Sequence, residues 1–164
     1  MMQKKEGIDI VSEIGGIDSY EAALHVIESK MNKEHLARIG RIKNNEVLLK
    51  IANAVVMCDP DEVYVNTGSE ADRQYIRELS LQKGEEKALP MKGHTIHFDL
   101  KEEQGRIIDR TFYIANPQDL VSSLAKKIDR TEALADIREK MSGIMAGKIM
   151  IVGFYVRGPV GSPV

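Results

Sequence analysis

Two histidines and an aspartate lie close together in the stretch "GHTIHFD": His94, His97 and Asp99. Two imidazoles and a carboxylate are a metal-ligating set in type. Their spacing works against it, because residues three apart on a strand point to opposite faces. Exposed strand or loop histidines are the preferred reading. His25 and His35 fall on separate helical stretches with no partner spacing. Cys58 is the single cysteine; nucleophilic work would need a lowered pKa and a paired base, and a small buried thiol fits better. "VYVNTGSEADR" brings a strand to a helix start through a glycine, where free backbone N–H groups can hold an anion. It lacks both G-x-x-x-x-G-K-[ST] and G-x-G-x-x-G, and capped turns of this kind are common without ligands. "GRIIDRTFYI" sets Arg106 and Arg110 at the start of a strand. A guanidinium there can fork onto an anionic substrate; a surface arginine paired with Glu102 or Asp109 is the commoner outcome. Ser162 in "GPVGSP" has no activating partner and no G-x-S-x-G context.

The elements that must position these groups follow from periodicity. With 164 residues, the chain is long enough for one domain with a hydrophobic core. A net charge of −2 argues against nucleic-acid binding. No apolar run approaches a membrane span, and no secretory signal is visible, so a cytoplasmic, soluble protein is expected. Residues 1–16 read as a flexible arm ending at Gly15-Gly16. Asp18 with Glu21 has capping-box spacing, and Tyr20, Ala23, Leu24, Ile27 and Met31 share a helical face. A second helix carries Leu36, Ile39 and Ile42; a third, Val47 to Met57, carries Leu48, Ile51, Ala52 and Val55. A strand at Glu62 to Val65 then leads through Asn66-Thr67-Gly68 into a helix capped by Ser69 and Asp72 and ended by Gly84.

The spacing further predicts a strand at 110–115 and a helix from Asn116-Pro117 with Leu120, Leu124 and Ile128 inward. Another helix is expected from Thr131, with Leu134, Ile137, Met141 and Met145 inward. The closing strand, Ile149 to Val156, is apolar on both faces and reads as central in a sheet. The expected fold class is α/β: N-terminal helices followed by a mixed sheet with flanking helices. Glycines and prolines at Gly158, Pro159, Gly161 and Pro163 make the last segment a rigid loop.

Three of these stretches, in order, resemble the GTP-dependent phosphoenolpyruvate carboxykinases. "MAGKIMIVGFYVRGPVGSPV" is similar to that family's Met-x-Gly-[Lys/Arg]-x-Met-x-Val strand followed by Gly-Pro-x-Gly-Ser-Pro, through Met145, Gly147, Lys148, Met150, Val152, Gly158, Pro159, Gly161, Ser162 and Pro163. "GRIIDRTFYI" resembles the family's small residue, arginine, aliphatic and later Thr running into a strand. "VYVNTGSEAD" resembles its early strand, Gly-Ser turn and acidic helix start. The likeness covers about Pro60 to the end, and only the Gly-Pro-x-Gly-Ser-Pro element is specific by itself.

The resemblance implies a reaction. Oxaloacetate loses CO2, and the resulting enolate takes the γ-phosphate of GTP to give phosphoenolpyruvate and GDP, a step of gluconeogenesis. It implies Mn2+ at the enolate and Mg2+ with the nucleotide as cofactors. It implies that Arg106 binds the substrate. Family members often carry an acidic residue two positions later as a lid contact; here Ile108 stands there, and Asp109 is the possible substitute. The family's P-loop, metal ligands and guanine-stacking aromatics have no counterpart here, so residues 17–164 are expected to form an incomplete substrate-side domain of a truncated product, a fragment or part of a longer protein, inactive alone. The other reading is a stand-alone anion-binding or interaction module without catalysis.

Overall fold

A computed structural model describes residues 15–100, 111–156, 158–159 and 161. Three helices come first: α1 (Tyr20–Lys30), α2 (Lys33–Ile39) and α3 (Asn45–Cys58). Then follow β1 (Glu62–Asn66), α4 (Glu70–Lys83), β2 (Lys87–Ala88), β3 (Thr95–Ile96), β4 (Tyr113–Ile114), β5 (Lys127–Ile128), α5 (Arg130–Met141) and β6 (Ile149–Gly153). The α/β class holds, and the three N-terminal helices stand where periodicity places them. Ala23, Ile27 and Met31 of the first face are buried, as are Leu48, Ile51, Ala52 and Val55 of the third.

Capping follows local chemistry, with two shifts. Ser19, not Asp18, caps α1 by accepting the Ala22 N–H, and Asp129, not Thr131, caps α5 by accepting the Thr131 N–H. Ser69 caps α4 as expected, and Gly84 ends it with φ 77°. A hydroxyl or carboxylate one position from the expected cap satisfies the same orphan donors, so sequence spacing alone does not choose between neighbours.

The core forms where α1 and α3 pack together under one face of the β1–β6 pair, with Val63, Val65 and Met150 pointing into it. β1 and β6 are parallel, Glu62 opposite Ile149 through Asn66 opposite Gly153. Their alignment is fixed at the end of α3. Gly143 and Met145 donate backbone N–H groups to the carbonyls of Met57 and Cys58, each at 2.9 Å. These are carbonyls that a helix C-terminus leaves without intrahelical partners. Asp61 then donates to the Lys148 carbonyl and accepts from the Gly147 N–H, both at 3.0 Å. Gly147 takes φ 77°, a region closed to most residues.

Asn53 holds the approach to α1. Fully buried, it accepts the Ile17 N–H at 2.8 Å and donates to the carbonyls of Ile17 and Leu49. Gly15 lies so close that a Cβ there would sit 2.6 Å from the Asn53 Cα. Asn53→Ala removes three bonds and strands buried backbone groups, so urea unfolding should show a loss of about 2–3 kcal/mol. An unchanged midpoint would mean that the contact does not form.

Three expectations fail. The helix after Pro117 is absent: residues 116–126 form turns, and Leu120 and Leu124 are 103% and 97% exposed. Their spacing is helical, but no packed surface receives them, and an amphipathic stripe without a partner has little to stabilise it. Among the described residues, the mixed sheet is replaced by three two-stranded sheets: β1–β6 and β4–β5, both parallel, and antiparallel β2–β3. β6 is therefore not central among the described residues. It pairs with β1 alone, and its outward Ile151 is 38% exposed.

Candidate functional site

Two of the motif-bearing stretches meet at the carboxyl end of the β1–β6 pair. The turn after β1 and the segment after β6 lie side by side there, with the Asn66 amide donating to the Tyr155 hydroxyl at 3.4 Å. In open α/β folds this end of the strands is where ligands bind. Beyond it, α4 and β6 flank an open groove of about 1280 Å³, floored by Ile76, Leu79, Ile149 and Ile151 and rimmed by Arg73 and Lys148. Gly158 and Gly161 take φ 118° and 79°, a region that favours glycine.

The turn itself is organised around Asp72. The side chain of Asp72 is only 1% exposed. Its Oδ1 accepts from the Arg38 guanidinium at 2.8 Å and from the Tyr64 hydroxyl at 2.6 Å; its Oδ2 accepts the Thr67 N–H at 2.8 Å and the Thr67 hydroxyl. Arg38 also donates to the Val65 carbonyl at 2.7 Å and to Glu34 at 2.6 Å. Tyr64 stacks on Tyr75 of α4, and the His35 ring lies tilted by 55° against Tyr64 at 4.4 Å between centroids. His35 accepts the Val65 N–H through Nδ1, so the ring is held with that nitrogen unprotonated.

Burial alone would push the Asp72 carboxyl up. Hydrogen bonds from Thr67, Tyr64 and Arg38 outweigh it and hold the carboxyl well below the usual carboxylate range. A group with a depressed folded-state pKa contributes stability that is fully present above its unfolded value, about 3.9, and is lost as the pH falls below that. Urea midpoints of the chain should therefore drop between pH 5 and pH 3 by more than those of Asp72→Asn. Equal drops would remove Asp72 from the acid response.

This arrangement bears on the anion-cradle reading of "VYVNTGSEADR". The Thr67 N–H and hydroxyl are spent on Asp72, the Gly68 N–H on Asn66, and the Asp72 N–H on Ser69. The anion that this turn binds is its own carboxylate. Spacing revealed Asp72 only as a cap partner; its ties to Arg38 and Tyr64 link helix, strand and turn, and no local pattern announces them.

The remaining candidates separate. Arg106, Asp109 and Arg110 lie outside the described residues, as do Ser162 and Pro163. His97 spends Nδ1 on the Glu85 carbonyl and Nε2 on Asp99, both at 2.7 Å, which leaves no ring lone pair for a metal. Among the described residues, no three His, Cys, Asp or Glu side chains converge as a metal site. The residues at hand do not fit Mn2+ or Mg2+. Cys58 is buried, and burial pushes its thiol up, away from the thiolate that nucleophilic chemistry needs. No helix among the described residues is long and apolar enough to cross a membrane.

Residues 50–164 match the family described as the phosphoenolpyruvate carboxykinase N-terminal domain. Among characterised proteins, the chain is 35% identical over 144 residues to the phosphoenolpyruvate carboxykinase (GTP) of Saccharolobus solfataricus, covering 87% of this chain and 23% of that protein. It is 36% identical to the enzymes of that name from Pyrococcus furiosus and Thermococcus kodakarensis, covering 85% of this chain and 22% of each relative. The chain thus spans less than a quarter of the length of these relatives. No solved structure matches it.

Proposed function

The chain belongs to the phosphoenolpyruvate carboxykinase N-terminal domain family, and from that premise we propose that it is the substrate-side part of a GTP-dependent phosphoenolpyruvate carboxykinase. The whole reaction would convert oxaloacetate and GTP to phosphoenolpyruvate, GDP and CO2, in gluconeogenesis and in the cytoplasm. The observation that carries this is the agreement of two independent facts. The family match spans residues 50–164, and the fold brings the turn after β1 beside the segment after β6, although 89 positions separate Asn66 from Tyr155.

In this reading the chain's own task is to hold the substrate. Arg106 would grip an oxaloacetate carboxylate with two parallel charge-assisted bonds, and Asp109 would meet the lid. The metal ions would stabilise the enolate and the transferring phosphoryl group when bound. Among the described residues, no three His, Cys, Asp or Glu side chains converge to hold those ions. A stand-alone anion-binding or protein-interaction module is not favoured, because the family and the relatives that the chain matches are phosphoenolpyruvate carboxykinases.

The test is a chimaera. Residues 1–164 replace the matching region of the Pyrococcus furiosus relative, and GTP-dependent formation of phosphoenolpyruvate from oxaloacetate is assayed. The chimaera should turn over, and the 164-residue chain alone should stay at background. Product formation by the chain alone would overturn the proposal, and so would a folded chimaera that binds GTP but not oxaloacetate.

A further inference from the structure

The hairpin of β2 and β3 is a weak element on its own. Its ladder holds two residue pairs, Lys87 with Ile96 and Ala88 with Thr95. The Leu89 N–H reaches the His94 carbonyl at 2.9 Å, and Arg77 of α4 pins the tip by donating to the Gly93 carbonyl at 3.0 Å. A two-stranded ladder this short is not stable in water without further ties.

At the open end stands His97, with Nδ1 2.7 Å from the Glu85 carbonyl oxygen and Nε2 2.7 Å from Asp99 Oδ1. A backbone carbonyl only accepts, and an ionised carboxylate only accepts. A neutral imidazole donates from one nitrogen and presents a lone pair at the other. In that state one of the two contacts sets a lone pair against an oxygen. Only the doubly protonated ring donates to both.

We propose that His97 is held as an imidazolium and closes the β2–β3 hairpin as a proton-dependent latch. One proton taken from solvent completes both bonds, and its return to solvent breaks one of them. Ionisable groups about the hairpin base include Asp99, which bonds the ring, Glu85 and Glu86 before β2, Lys87 within it, and Lys83 in the last turn of α4. From α4, Arg77 acts at the tip and not at the base. The latch stands apart from the proposed reaction and survives if that reading fails.

The test uses the 164-residue chain labelled with 15N. Ring-nitrogen shifts of His97 and amide protection of Leu89 are followed from about pH 5.5 to 9, with protection corrected for intrinsic exchange and Met145 as the core reference. At pH 7 both ring nitrogens should show protonated-type shifts. As His97 loses its proton, Leu89 protection should fall about tenfold while Met145 stays constant, the scale of one charge-assisted bond. Asp99→Asn should move the transition to lower pH, and His97→Gln should lower Leu89 protection throughout. A single neutral tautomer at pH 7, or Leu89 protection that ignores the state of His97, overturns the latch.

Discussion

Arg106→Ala, introduced into the chimaera with the Pyrococcus furiosus relative, should lower kcat/KM for oxaloacetate by about a hundredfold. A charge-assisted bidentate contact to a charged substrate is worth roughly 3 kcal/mol, and that energy is lost when the guanidinium is removed. Arg106→Lys should recover little, because an ammonium cannot reproduce the planar fork. The affinity for GTP and the unfolding midpoint should barely move. Arg110 is the competitor in the same stretch, since the two would share a face of an extended strand. Near-normal turnover of Arg106→Ala at low oxaloacetate, together with loss in Arg110→Ala, would assign the role to Arg110 instead.

Asp72→Ala should be the most damaging single change to the described core. It leaves Arg38, whose side chain is 20% exposed, with only the exposed Glu34 as its anion, and strips the Tyr64 and Thr67 hydroxyls of their shared acceptor. Breaking a buried ion pair costs about 3–5 kcal/mol when the remaining charge is uncompensated, and the Glu34 contact puts the expected loss at the lower end of that range. Against a total of roughly 5–15 kcal/mol for a domain, this brings the chain close to unfolding at ordinary temperature. Urea midpoints measure it. Arg38→Met with Asp72→Leu should lose less than Asp72→Ala alone, because the partly buried guanidinium is removed together with its carboxylate. A double variant weaker than the single one would mean that the network acts through shape rather than charge.

The sequence by itself determined what local chemistry decides. A hydroxyl at Ser69 followed by an acidic turn starts α4, and Gly84 stops it, because capping and a left-handed residue act within a few positions. The faces of α1 and α3 were legible because helical periodicity and burial agree there. The family motifs were legible too, and the choice of Arg106 over Arg110 as a proposed substrate residue rests on them. Tertiary structure decided the rest. Whether Leu120 and Leu124 form a helix depends on a surface to bury them, which no spacing supplies. β6 was expected in the middle of a sheet from its apolar faces, yet its neighbours are set by pairing across the chain, with Met57, Cys58 and Asp61 fixing its place beside β1. Asp72 looked like a cap residue. It became the centre of the turn because Arg38 arrives from a helix 34 positions earlier, and a bond over that distance leaves no trace in local pattern.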